Sequence, residues 1–461
     1  MTLVTRGAAF RHRFGGVLAA TAAGAALGLV LGLAMPRGPM NSLQSLSALT
    51  LAVGTGVVAG RAWRTRWAAL LTPATCAAVF EVTRSGAPGP SVGAIRLESL
   101  YGVAVFVAGR GFDALVIGAP MVVGAFWGAA LARRQPAGRA SPAHTRAATA
   151  VRRAALGLAS VGVLVIVVGL ARPAGTEAIL GSDGEPVPGS VAELVSVPIG
   201  GHDQVIMLRG NDVGAPVLLF LEGGPGGTAL GAMRYSGQGL EEHFVVATWD
   251  QRGTGKSAVA RDPVDTLTVD QAVSDTIEVS EYLRDRFRAA RIYVVGSSWG
   301  TTLGVLAVAQ RPDLFQAYVG TGQMVDQQET DTLMYADSVA YAERVGDDRF
   351  ADQLADIGPP PYTDPLAYPL ALSSNPDWDA YPRGADYDNR GAYPTSLFVA
   401  EYTLTEQVRA TAALADTFAA LYPQLQDIDF RRDVPQLAVP VYLVEGAHEA
   451  PGRAVLAQTS P

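Results

Sequence analysis

Arg291-Ile-Tyr-Val-Val-Gly-Ser-Ser-Trp-Gly-Thr-Thr-Leu-Gly-Val-Leu-Ala307 passes from a β-branched run, through a glycine-rich corner, into a helix-forming run. The corner, Gly296-Ser297-Ser298-Trp299-Gly300, has the Gly-x-Ser-x-Gly spacing of a strand-to-helix elbow. In such an elbow the middle serine is held on a strained turn. A Cβ on either flanking glycine would collide with neighbouring backbone. The strand before and the helix after supply the context the motif needs. Ser298 is therefore the candidate nucleophile.

Working outward, the flanking segments alternate between strand and helix patterns. Glu193–Ile199 and Gln204–Arg209 read as a hairpin around Gly200-Gly201, and Val217–Leu221 and Phe244–Trp249 as buried strands. Thr268–Phe287 is helical and leads to Ile292–Val295; Phe315–Val319 follows the elbow helix, and Pro440–Val444 is a late strand. Such alternation predicts an α/β fold with a mostly parallel doubly wound sheet and a site at the carboxyl ends of its strands. From Val325 to Val434 the alternation stops; the segment is helical, then rich in Pro, Tyr and Asp, then helical again. An insertion there predicts a helical cap over the site.

Two further loops carry chemistry. Glu222-Gly223-Gly224-Pro225-Gly226-Gly227 follows a buried strand, and its bare amides suit the negative oxygen of a tetrahedral intermediate. The N–H of Trp299, the residue after the serine, is the second donor of such a hole. Trp249-Asp250-Gln251-Arg252-Gly253-Thr254-Gly255-Lys256-Ser257 contains Gly-Lys-Ser, but Asp250 stands where a phosphate loop needs its first glycine. Asp250 and Arg252 are read instead as braces of the site.

Together these three motifs, in this order and spacing, resemble the prolyl aminopeptidase (proline iminopeptidase) branch of the α/β-hydrolases, over roughly residues 191–461. The resemblance implies a serine hydrolase that releases an N-terminal residue, often proline, from short peptides. It implies Ser298 as nucleophile, with the Gly224 and Trp299 amides holding the oxyanion. No cofactor or metal is implied. The family usually carries His where Glu222 stands, a departure that bears on substrate more than on fold. Val441-Tyr-Leu-Val-Glu-Gly-Ala-His-Glu449 resembles the acid loop of the family, with Glu449 at the acid position and Glu445 as competitor. Glu329 and Glu343, acids of the cap, are candidates for binding a free amino terminus.

The order in this fold is serine, acid, histidine. The five histidines are His12, His144, His202, His243 and His448, and none follows Glu449. His243 begins its strand at the end away from the site, ~20 Å distant at ~3.3 Å per residue. Two expectations remain: a fragment lacking the C-terminal end of the hydrolase fold, or a hydrolase-like domain without its base. An esterase of the same fold and an inert binding or sensor module stay open as alternatives.

The preceding residues are of another kind. Hydrophobic residues make up 49% of the chain. Residues 1–172 hold 17 Arg against only Glu81, Glu98 and Asp113, whereas 173–461 carry a formal charge of −22. The acidic half excludes a nucleic-acid partner. The single cysteine, Cys76, excludes a disulfide framework. Apolar runs at 14–35, 43–60, 66–83, 112–132 and 154–171 predict an all-α transmembrane domain of about five spans over 1–172. Residues 99–109 are expected to form a short re-entrant or interfacial piece. Residues 173–190 read as a linker, 191–324 and 435–461 as hydrolase core, and 325–434 as cap. Arginine clusters before the first span, at 61–66 and at 133–153 place the N-terminus in the cytoplasm and the hydrolase domain outside. The expected partners are a lipid bilayer and a peptide or small-molecule substrate. Asp113 is expected to pair locally with Arg110.

Overall fold

The computed structural model describes residues 3–132, 143–261, 263–364, 367–373, 375, 390–446 and 456–460. The chain forms two compact units. The first comprises Met1–Ala94, Phe106–Pro173 and Thr403–Arg409; the second comprises Ile95–Val105, Ala174–Tyr402 and Ala410–Pro461.

Among the described residues the second unit has seven strands: β1 (Val191–Ile199), β2 (His202–Gly210), β3 (Val217–Leu221), β4 (Val245–Asp250), β5 (Ile292–Ser297), β6 (Phe315–Thr321) and β7 (Val441–Val444). Their order is β1-β2-β4-β3-β5-β6-β7. β2 pairs antiparallel with β1 and β4, and all other pairings are parallel. Each strand expected from the sequence is present. The first turn uses Gly200 and Gly201 at φ 54° and 78°, a conformation in which a Cβ is strained.

Alternation along the strands divides the core. Val217, Leu219 and Leu221 of β3 join Trp249, Val273, Val279, Leu303 and Val308 on one face. Leu218 joins Leu230, Met233 and Val246 on the other. Helix Val269–Phe287 packs on the first face; Thr268 caps it by accepting the Gln271 N–H at 3.1 Å. β4 lies on one side of β3 and β5 on the other. The order therefore reverses beside β3, and the crevice beyond its carboxyl end lies between the loops that follow β3 and β5.

Between β6 and β7 the longer elements among the described residues are the helices Gln327–Val345, Asp348–Ile357 and Leu404–Leu425. Met334, Phe350, Leu354, Tyr362, Phe418 and Tyr422 form a separate core there. Asp331 is fully buried beside it, accepting hydrogen bonds from Tyr422 Oη and Gln327 Nε2, both at 2.7 Å.

In the first unit, four helical stretches among the described residues are long and apolar enough to cross a membrane: Phe14–Ala34, Ser42–Trp63, Leu100–Ala132 and Ala147–Ala171. The expected span at 66–83 is a helix, Ala68–Thr83, of only 16 residues. At 1.5 Å per residue it reaches about 24 Å, short of a ~30 Å hydrocarbon core. The expected break between 99–109 and 112–132 is absent. The run Leu100–Ala132 is continuous because π-helical turns at Val107–Gly111 and Ala114–Gly118 take up the irregular part. Gly24 and Gly28 lie against the carbonyls of Thr72 and Cys76. Gly56 and Gly60 meet the carbonyls of Met121 and Ala125, and Gly124 and Gly128 those of Val53 and Val57. The small residues thus bring helix backbones together within the unit.

Asp113 does not pair with Arg110. Arg110 donates to both oxygens of Glu81, at 3.1 and 3.0 Å. Asp113, buried, accepts from Arg84 Nη1 at 3.0 Å and from Arg409. Arg409 also donates to the carbonyls of Pro39 at 2.9 Å and Gly109 at 3.0 Å. Two guanidiniums thus compensate the one buried carboxylate.

Candidate active site

Ser298 joins β5 to helix Trp299–Gln310 at φ 52°, ψ −119°. Two other described non-glycine residues have positive φ, Arg64 and Arg288, and both are ordinary left-handed helix ends at ψ 27° and 34°. Ser298 lies outside that region, so it alone of the three carries the strain of an elbow. The flanking glycines are required by contact. A Cβ on Gly296 would press on Gly300 and Thr301, and one on Gly300 would press on the carbonyls of Leu221 and Glu222.

That second contact brings the β3 loop to the serine. A Cβ built on Gly223 would lie 3.1 Å from Ser298 Cβ and 3.8 Å from its Oγ. Gly224 and Gly226 follow at φ 131° and 101°, and the Gly227 N–H closes the loop on the Gly223 carbonyl at 3.1 Å. Gln251 ties the two segments together. Its Oε1 accepts Trp299 Nε1 at 2.9 Å, and its Nε2 donates to the Glu222 carbonyl at 3.1 Å. The motifs carrying Gly224 and Trp299 are thereby braced by one buried amide. Trp299→Phe removes the indole donor and leaves Gln251 Oε1 buried without it. The expected loss is about 1–3 kcal/mol in denaturant unfolding, and an unchanged midpoint would contradict the bracing role.

Asp250 and Arg252 touch structure at the ends of the strands. Asp250 Oδ2 accepts the Lys256 N–H at 2.8 Å, and Oδ1 accepts the Tyr402 hydroxyl at 2.9 Å. Burial pushes the Tyr402 phenol well above its ordinary range. Arg252 donates to Asp275 through Nε at 2.7 Å and Nη2 at 3.0 Å, and to the Gly200 carbonyl at 3.0 Å. It therefore links the first hairpin to helix Val269–Phe287.

On the acid side, Glu445 follows β7 and accepts the Gln323 N–H at 3.1 Å. Gln323 Oε1 in turn accepts Tyr318 Oη at 2.6 Å. Glu449 and His448 lie outside the described residues. His202 opens β2, separated from β5 by β4 and β3, about 14 Å at ~4.8 Å per strand. His243 is exposed ahead of β4, at the end away from the elbow. Neither is placed to reach Ser298.

The two cap acids named from the sequence stand at the surface. Glu329 is paired with Arg431 at 2.7 Å, and Glu343 is exposed near the end of the same helix. Sequence reasoning gave no role to Gln251, although it sits within the motif that supplied Asp250 and Arg252. It also passed over Asp331, whose four-residue spacing from Gln327 on a helix was the available signal. Burial raises the Asp331 carboxyl from 3.8 to about 7. Burial also raises Glu222, opposed only by the hydrogen bond from the Gly223 N–H.

Comparison with known proteins agrees with this geometry. Residues 216–439 match the family model described as alpha/beta hydrolase fold. The probable aminopeptidase YbaC of Bacillus subtilis (strain 168) is 39% identical over 150 residues, 32% of this chain and 47% of that protein. A probable proline iminopeptidase of Leptolyngbya boryana is 37% identical over 23% of this chain and 30% of its own length. The proline iminopeptidase of Xanthomonas citri is 41% identical over 22% of this chain and 30% of its own. The chain spans less than half the length of these curated relatives. With its elbow, glycine loop and sheet order, the second unit has the α/β-hydrolase fold, and the curated proteins it is similar to are named aminopeptidases and proline iminopeptidases.

Proposed function

We propose that this chain is a membrane-anchored serine hydrolase that releases N-terminal residues such as proline from short peptides. The observation that carries the reading is Ser298 held at φ 52°, ψ −119° directly beside the glycine loop. Ser298 Oγ attacks the carbonyl carbon, and the Gly224 and Trp299 amides receive the oxyanion. The amine leaves with a proton, and water then hydrolyses the acyl-serine. A histidine has to take the serine proton, oriented by an acid at Glu449. The names of the curated relatives support the peptidase reading over an esterase of the same fold.

A catalytically inert binding module is the competing reading. It is favoured by the placement of His202 and His243 away from Ser298. A fluorophosphonate probe on the full-length chain separates the two. Labelling that maps to Ser298 and disappears in Ser298→Ala supports the hydrolase; absence of labelling in both sinks it. Cleavage of proline naphthylamide in preference to simple acyl esters then supports the peptidase.

The helical unit is read as the membrane anchor, with the N-terminus cytoplasmic and the hydrolase unit outside. This orientation requires Ala68–Thr83 to cross as well, by local thinning of the bilayer. Its support is that the three arginine clusters then share one side. A compartment reporter fused after residue 190 that reads cytoplasm would overturn it.

A further inference from the structure

We propose that Glu222 is the receptor for the substrate's cationic amine, and that this residue selects substrates with a free amino group on the acyl side of the cleaved bond. The inference rests on the aminopeptidase reading and names the residue that would give it specificity.

Distance selects the acid. In an N-terminal residue the amine nitrogen lies only about 2.5 Å from the carbonyl carbon that a nucleophile attacks. A carboxylate that pairs with it must therefore stand within a side-chain length of the serine. Glu222 is the acid that the glycine loop brings toward that point: its carboxylate accepts the Gly223 N–H at 2.8 Å, and a Cβ built on Gly223 would lie 3.1 Å from Ser298 Cβ. Glu329 and Glu343 lie on the exposed surface of their helix, the former already in an ion pair.

The side chain is suited to the task. One carboxylate oxygen accepts the Gly223 N–H at 2.8 Å, which fixes the group and leaves the other oxygen for an incoming donor. The residue is partly exposed yet densely surrounded, and that crowding raises its carboxyl. Electrostatics require a partner as well. A carboxylate two residues before Gly224 opposes the negative charge that the Gly224 amide is to receive. An ammonium bound to Glu222 cancels that opposition, so a substrate carrying the cation is favoured when the oxyanion forms. A substrate whose nitrogen is acylated lacks the charge and meets the unpaired carboxylate.

The test is binding, which is independent of turnover. The full-length Ser298→Ala chain in detergent micelles is titrated calorimetrically with L-prolinamide and with N-acetyl-L-prolinamide. Prolinamide is expected to bind and the acetylated compound to bind at least tenfold more weakly. Glu222→Gln in the same background should weaken prolinamide about ten- to a hundredfold and abolish the discrimination. If Glu222→Gln does not fold, as judged by thermal melting, Glu222→Asp and Glu222→His decide: the first keeps the discrimination and the second loses it. Equal binding of the two compounds, no binding of either, or unchanged discrimination without the carboxylate overturns the proposal. Failure of the fluorophosphonate to label Ser298 overturns the hydrolase reading separately, whichever way the binding falls.

Discussion

Replacing Arg252 with alanine is expected to cost the second unit about 3–5 kcal/mol of stability. Its partner Asp275 is fully buried, and its carboxylate receives two bonds from the guanidinium. Gln204 and Gln271 donate to the same carboxylate at 2.9 and 2.7 Å. Without the arginine those two neutral amides remain around an uncompensated charge. The Gly200 carbonyl also loses its donor, so the first hairpin loosens at its turn. Removing the charge at both ends should recover most of the loss, because the penalty comes from the orphaned carboxylate rather than from the missing pair. Denaturant unfolding of Arg252→Ala and of Arg252→Met with Asp275→Leu in the full chain measures both. A single-variant loss below about 1 kcal/mol would show that the pair is screened and the description of its burial is wrong.

Asp331 gives the second large effect, read through pH. Its carboxyl is raised from 3.8 to about 7 by burial, so the folded chain binds the proton more tightly than the unfolded chain does. Stability from this group is therefore fully present below about pH 4 and falls as pH rises toward 7, above which it is flat again. A shift of that size is worth on the order of 4 kcal/mol. Asp331→Asn removes the titration while keeping volume, and its stability should change little over the same range. Melting temperatures of wild type and variant between pH 4 and 8 test this. Parallel curves would mean that Asp331 keeps its ordinary range and that the hydrogen bonds from Tyr422 and Gln327 fully offset its burial.

The strands and the elbow were legible because their signals are local. β3 is a short apolar run and β5 a β-branched one, and the glycines around Ser298 are a steric requirement that spacing reveals. Gln251 was not legible: its two partners lie 29 and 48 residues away, and no periodicity encodes a side chain that bridges two loops. The misreading at Asp113 has the same origin. Adjacency along the chain suggested Arg110, whereas Arg84 and Arg409 reach it from 29 and 296 residues away. Glu222 stood out as a departure from the family pattern, but only the contact between Gly223 and Ser298 shows how near it lies to the reacting bond.

The two π turns near Asp113 also settle a question of helical phase. From residue 108 to 129, buried residues fall in adjacent pairs, 108/109, 112/113, 116/117, 120/121, 124/125 and 128/129, spaced by four. In an α-helix of 3.6 residues per turn, each step of four overshoots a full turn by about 40°, and five steps accumulate about 200°. The later pairs would then face opposite to the first. Each π turn takes in one extra residue, about 100° of rotation, and two of them cancel the drift. The four-residue repeat is thus matched to a helix that has been unwound twice. A single-residue insertion or deletion within 107–118 is the change this segment absorbs least, since it rotates every buried pair on one side by about 100° from those on the other.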